Sequence, residues 1–140
     1  MTDIQAAIGI EQLKRLDDIV AARRAIAAKY NAAFGGLAGV QVPVAKEGIE
    51  WNAQSYALLL TDAAAISRDE LMQRLLEKGI ATRHGVMTAH REPAYAELCD
   101  DLSLPISEAA SDRSVILPLY PQMTEAEQSQ VIDAVRAALG

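Results

Sequence analysis

The sequence predicts an α+β fold: a long N-terminal helix, then a small three-stranded sheet with flanking helices. Three observations carry that reading. Apolar residues recur at helical spacing through the first 34 positions. Three short apolar runs of strand length follow, set apart by Gly, Pro and polar residues. Capping-box patterns stand at Thr2/Gln5, Ser67/Glu70 and Thr124/Glu127, each ahead of an amphipathic stretch. The order is long helix, then β-α-β-α-α-β-α.

In the first helix Ile4, Ile8, Leu13, Leu16, Val20, Ile26, Tyr30 and Phe34 form the apolar series, and Gly35-Gly36 ends it. A rod of about 32 residues would measure nearly 50 Å at ~1.5 Å per residue, long against a mean of about 11–12 residues. Gly9 is a candidate kink. Two readings stay open: a rod packed against something outside this chain, or two helices folded as a hairpin. Residues 35–52 read as a loop with a short extended piece at 40–44. Residues 55–60 (SYALLL) read as a buried strand. Ser67 opens a helix through Lys78 with Leu71 and Leu75 inward, and Gly79 closes it. Residues 80–86 form the second strand, and Glu92–Leu98 a short helix. Pro105 opens a further helix to about Ser111. Val115–Leu119 is the third strand, and Pro118 places it at an edge or ends it early. The last helix follows Thr124 with Val131, Ile132, Val135 and Leu139 inward. The expected division is 1–36, a helix leading to a large domain, and 37–140, a small α+β domain.

The composition narrows the function classes. With 51% hydrophobic and 23% charged residues the 140-residue chain is globular in composition. A net charge of −6 with no Lys/Arg run beyond Arg23-Arg24 argues against nucleic-acid binding. No apolar stretch approaches the roughly 20 residues that span a bilayer, so no membrane partner is expected. A single Cys99 allows no internal disulfide, which with the absence of a signal-peptide pattern points to the cytoplasm.

No phosphate-binding glycine loop or zinc spacing is present. His90 with Glu92 reads as a solvated pair before it reads as a metal site, and Cys99 with His90 lacks an orienting third group. Asp17-Asp18 reads as the wet face of the helix, and Asp100-Asp101 as a charged loop. Residues 82–95 (TRHGVMTAHREPAY) stand apart, gathering two His, two Arg, a Glu and a Tyr after a strand. Arg83 and Arg91 suit phosphate or carboxylate groups, and His90 can donate to a sugar hydroxyl or a diphosphate. The plain alternative is a solvated connection with Tyr95 packed inward.

Three segments also resemble the DegT/DnrJ/StrS-type aminotransferases. MTDIQAAIGIEQLKRLDDIVAARRAIAAKYNAAF resembles that family's "M-(S/T)-D-x-Q-A-A-(I/L)-G-x-x-Q-L" helix. GIATRHGVMTAHREPAY resembles its "GI-x-TR-x-x-x-x-P-L-H-x-x-P-x-Y" loop, and LPISEAASDRSVILPLYPQMTEAEQSQVIDAV its closing run. The resemblance implies the C-terminal small domain of an aspartate-aminotransferase-fold (type I) enzyme dependent on pyridoxal phosphate (PLP). Such enzymes move an amino group onto a keto nucleotide sugar and work as homodimers. It implies Arg83 and His90 as substrate-binding residues, and no catalytic, cofactor-binding or metal-binding residue in this chain. PLP is expected in a full-length parent. Two departures matter. Lys14, Lys29, Lys46 and Lys78 stand in no Schiff-base segment, and Gly85-Val86 stand where the family often has His-Tyr. The chain is therefore expected to be inactive alone while supplying substrate-loop and dimer contacts. The other reading is a stand-alone regulatory or interaction module that uses the exposed long helix.

Overall fold

Capping starts the helices where the sequence places them. The computed structural model describes residues 1–99 and 101–140; the Asp100 half of the Asp100-Asp101 loop lies outside the described residues. In α1 (Asp3–Leu13) the Thr2 N–H donates to Gln5 Oε1 at 2.9 Å, and the Gln5 N–H donates back to Thr2 Oγ1. The same reciprocal box at Thr124 and Glu127 opens α5 (Glu125–Leu139). Ser67 Oγ accepts the Glu70 N–H at the start of α3 (Arg68–Glu77).

The single long helix is not found. The run divides into α1 and α2 (Leu16–Phe34), joined by Lys14-Arg15. Neither Gly nor Pro makes the break. The Arg15 N–H bonds the Gln12 carbonyl, three residues back, instead of continuing the four-residue ladder. Gly9 stays helical inside α1. The two helices differ in what they cover: α1 has no buried residue, whereas α2 buries Ile26, Ala27, Tyr30 and Phe34.

Among the described residues the sheet has four strands, not three, in the order β1-β2-β4-β3, all antiparallel. These are β1 (Val40–Gln41), β2 (Tyr56–Leu60), β3 (Arg83–His84) and β4 (Ser114–Leu117). The extra strand is the short extended piece of the loop, paired on the outer side of β2. The strand expected over 80–86 shrinks to two residues because the end of α3 uses its first one. Gly79 sits at φ +76°, its N–H bonds the Leu76 carbonyl, and the Ile80 N–H bonds the Leu75 carbonyl. This is a Schellman closure with Leu75 and Ile80 buried together, so Ile80 is unavailable to a ladder. Pro118 ends β4 at Leu117, and β4 lies inside the sheet rather than at its edge. The helix expected at Glu92–Leu98 is 3₁₀ in form, in two turns, Ala89–Arg91 and Pro93–Leu98. Between them and β4 runs α4 (Pro105–Arg113), with Pro105 in its first turn.

Side chains alternate across a strand, so the sheet has two unlike faces. Tyr56, Leu58, Leu60, Val115 and Leu117 join Tyr30, Phe34, Leu71, Leu75, Val131 and Val135 in one core. Tyr30 and Phe34 stack with ring centres 5.6 Å apart, and Tyr30 meets Tyr56 at 4.9 Å. Burying each such ring stabilises by about 1.5–3 kcal/mol. Their hydroxyls do not go unpaired. Tyr30 donates to the Pro118 carbonyl at 2.9 Å and Tyr56 to Asn31 Oδ1 at 2.8 Å, while burial pushes both phenols upward in pKa. Buried Gln128 donates to the Ile26 carbonyl at 2.8 Å and so ties α5 to α2. The second face carries Ala57, Leu59 and Ile116, only half-buried. Arg83 pairs opposite Ile116 and shares that face, whereas His84, opposite Val115, points to the helix side.

Candidate functional site

The polar segment after β3 is fixed to α4 at two points. The His90 ring, with 7% of its side chain exposed, places Nε2 3.0 Å from Glu108 Oε1. Arg91 Nη1 donates to Asp112 Oδ1 at 2.7 Å. Glu108 is also a helix-start residue, since its Oε1 accepts the Leu104 N–H at 2.7 Å. That backbone donor, joined by His90, holds the Glu108 carboxyl below the usual range. Beside that pair, Arg68 of α3 donates to the Ser111 carbonyl at 2.8 Å. Three residues of the helix, Glu108, Ser111 and Asp112, thus receive contacts from the loop or from α3, although α4 itself has no buried residue.

A cavity of about 590 Å³ opens between this loop and α4. Val86, Met87, Tyr95, Leu102 and Ile106 make it apolar, and His90 is the titratable nitrogen base on its wall. Its size falls in the range of small-molecule sites, roughly 300–1,000 Å³. His90 and Tyr95 both line this cavity, and Tyr95 is half exposed there rather than packed into the core. Arg83 does not line it; it stands exposed on the open sheet face. Arg91 is engaged with Asp112, and His84 Nε2 lies 3.8 Å from Asp69, too far for a hydrogen bond. Gly85 is held close to β4: a Cβ there would meet the Ser114 hydroxyl at 1.6 Å. Sequence reading missed Glu108 and Asp112 as the partners of His90 and Arg91. They lie 18 and 21 residues away; the available signal was Glu108 four residues after the helix-capping position Leu104.

The residues present do not fit a Schiff-base cofactor site. All four lysines are exposed, Lys14 paired with Glu11 and Lys29 with Glu125. No lysine and no carboxylate lines the cavity among the described residues, and PLP chemistry needs both. No three His, Cys, Asp or Glu converge as metal ligands among the described residues. No described helix is long and apolar enough to cross a membrane.

The sequence model of the DegT/DnrJ/EryC1/StrS aminotransferase family matches residues 1–136. The chain belongs to the DegT/DnrJ/EryC1/StrS aminotransferase family. Solved structures agree. The aminotransferase TlmJ from Streptoalloteichus hindustanus superposes with a TM-score of 0.89 at 29% identity, over 99% of this chain and 37% of its own. DesV from S. venezuelae, solved with a ketimine intermediate, gives 0.86 at 31% identity, over 95% of this chain and 35% of its own. The PLP form of Spr1654 from Streptococcus pneumoniae gives 0.89 at 25% identity, over 99% of this chain and 36% of its own. The chain thus spans a little over a third of the length of these relatives. In fold, its α+β body corresponds to part of an aminotransferase.

Proposed function

We propose that this chain is the C-terminal small domain of a sugar-aminotransferase-like protein. In the full-length parent, PLP is held by a lysine outside this chain, and an amino group passes to a keto nucleotide sugar. The observation that carries the reading is the superposition of 99% of this chain on 37% of an aminotransferase, with no lysine on the wall of the cavity beside α4 among the described residues. Residues 37–140 close over the site, and residues 1–36 lead in from the large domain, with Ile26–Phe34 anchored in the small domain's core. His90 on the cavity wall and Arg83 on the open face are the proposed substrate contacts, Arg83 toward an anionic group. The parent is a cytoplasmic homodimer, and this chain alone does no catalysis.

Borohydride reduction after incubation with PLP tests this by mass. Scattered substoichiometric labelling of the four exposed lysines is expected. A stoichiometric adduct on one lysine would overturn it. The interaction-module reading is favoured by one feature, the exposed Ile4, Ile8 and Leu13 on α1. Reading the coding DNA 5′ of Met1 separates the two: an open frame with a PLP-lysine segment supports the enzyme, an in-frame stop the module.

A further inference from the structure

Glu108 does two things with one oxygen. Oε1 accepts the Leu104 N–H at 2.7 Å and lies 3.0 Å from His90 Nε2. An ionised carboxylate only accepts hydrogen bonds, so the contact requires a proton on Nε2. The ring that makes it is largely enclosed, with 7% of its side chain exposed, and it lines the cavity that Glu108 itself does not line. The neighbouring Arg91–Asp112 pair holds the same stretch of loop to the same helix.

We propose that Glu108 is a positioning residue that fixes His90 with its proton on Nε2, leaving Nδ1 as the ring nitrogen open to a ligand. In a neutral ring that atom is an acceptor. In that neutral form His90 reads a donor, such as a sugar hydroxyl; a phosphate or diphosphate oxygen, itself an acceptor, would call for the doubly protonated ring. This narrows the substrate role proposed for His90 and rests on it; the anionic part of a nucleotide sugar falls to other residues.

Long-range proton–nitrogen NMR of the 140-residue chain reads the tautomer directly. At a pH where the ring is neutral, His90 is expected as one species, protonated on Nε2. Glu108→Gln keeps an oxygen at the same place and is expected to keep that species. Glu108→Ala removes it and is expected to give a mixture, with Nδ1–H appearing. Asp112→Ala loosens the loop without touching the oxygen and is expected to leave the ring unchanged, which separates positioning from general loosening. Three results would overturn the assignment: an Nδ1–H ring in the unmodified chain, an unchanged ring in Glu108→Ala, or a mixture in Glu108→Gln. The readout needs neither sugar nor PLP, so its failure leaves the proposed function standing. Failure of that function would leave the tautomer as measured.

Discussion

The first 34 residues hold two helices of similar apolar content and opposite fate. In α2, Tyr30 and Phe34 are fully buried and Ile26 nearly so, sealed under the sheet and α5. In α1, Ile4 is 75% exposed, Ile8 60% and Leu13 68%. Helical spacing alone does not distinguish them, because both series keep the same period. What separates them is packing: α2 meets Tyr56, Val131 and Val135 in the core, and α1 has no buried residue. A contiguous apolar stripe left bare on a stable fold marks a contact surface, as expected of a segment leading into a larger protein.

The contrast is broken most strongly through α2. Phe34→Ala removes a fully buried ring stacked on Tyr30, and about 3–5 kcal/mol should be lost in urea denaturation. Leu13→Ala, on the exposed side, should shift the same measurement by less than ~0.5 kcal/mol. Equal losses at the two positions would mean that α1 folds back onto the body.

The next effect is on association. Light scattering should show the chain pairing through α1 as concentration rises. Ile8→Glu with Leu16→Glu should abolish the associated species without changing the urea midpoint of the monomer. A monomer at all concentrations would remove self-pairing as the use of that stripe.

Acid separates the regions more gently. Glu108 is shifted down chiefly by the Leu104 N–H, Glu127 by the Thr124 N–H, and Glu125 by Lys29. All three belong to the body, and none to α1. Each is ionised in the fold at a pH where the unfolded chain begins to take up protons. Their stabilisation is therefore complete above the ordinary glutamate pKa of 4.5 and is lost as pH falls through the lowered folded values. The urea midpoint should drop below about pH 4.5, and less steeply in Glu127→Gln. A midpoint flat down to pH 3 would contradict the assigned hydrogen bonds.

How much of this was legible depended on distance along the chain. The capping residues Thr2, Ser67 and Thr124 act within four positions, and all three helix starts stand where they put them. The Gly79 closure was equally local, but its consequence, withdrawal of Ile80 from the sheet, required the side chains of Leu75 and Ile80 to meet in the core. The break at Lys14-Arg15 carries no turn residue and left no mark. The site divides the same way. His90 and Tyr95 were legible as a loop pair, whereas Glu108 and Asp112 become partners only when α4 packs beside the loop. Arg83 and His84 are adjacent in sequence and face opposite sides of the sheet, which the register with Ile116 and Val115 decides.

The smallest effect sharpens the contrast. Gly9 has nothing within 4 Å of an added Cβ, and Gly→Ala favours a helix by about 0.8–1 kcal/mol. Gly9→Ala should raise helical circular dichroism slightly while leaving the denaturation midpoint in place, because α1 is not part of the cooperative unit. A raised midpoint would place it there.

Amide hydrogen exchange resolved by residue measures the division between the two helices most directly. On the Ile8→Glu, Leu16→Glu chain, where pairing is removed, amides of β2, β4, α3, α5 and residues 26–34 should exchange only by global unfolding. Amides of residues 6–13 should exchange by local fraying, orders of magnitude faster. Protection in residues 6–13 equal to that of residues 26–34 would contradict the account, because α1 would then be part of the folded body and not a surface awaiting a partner.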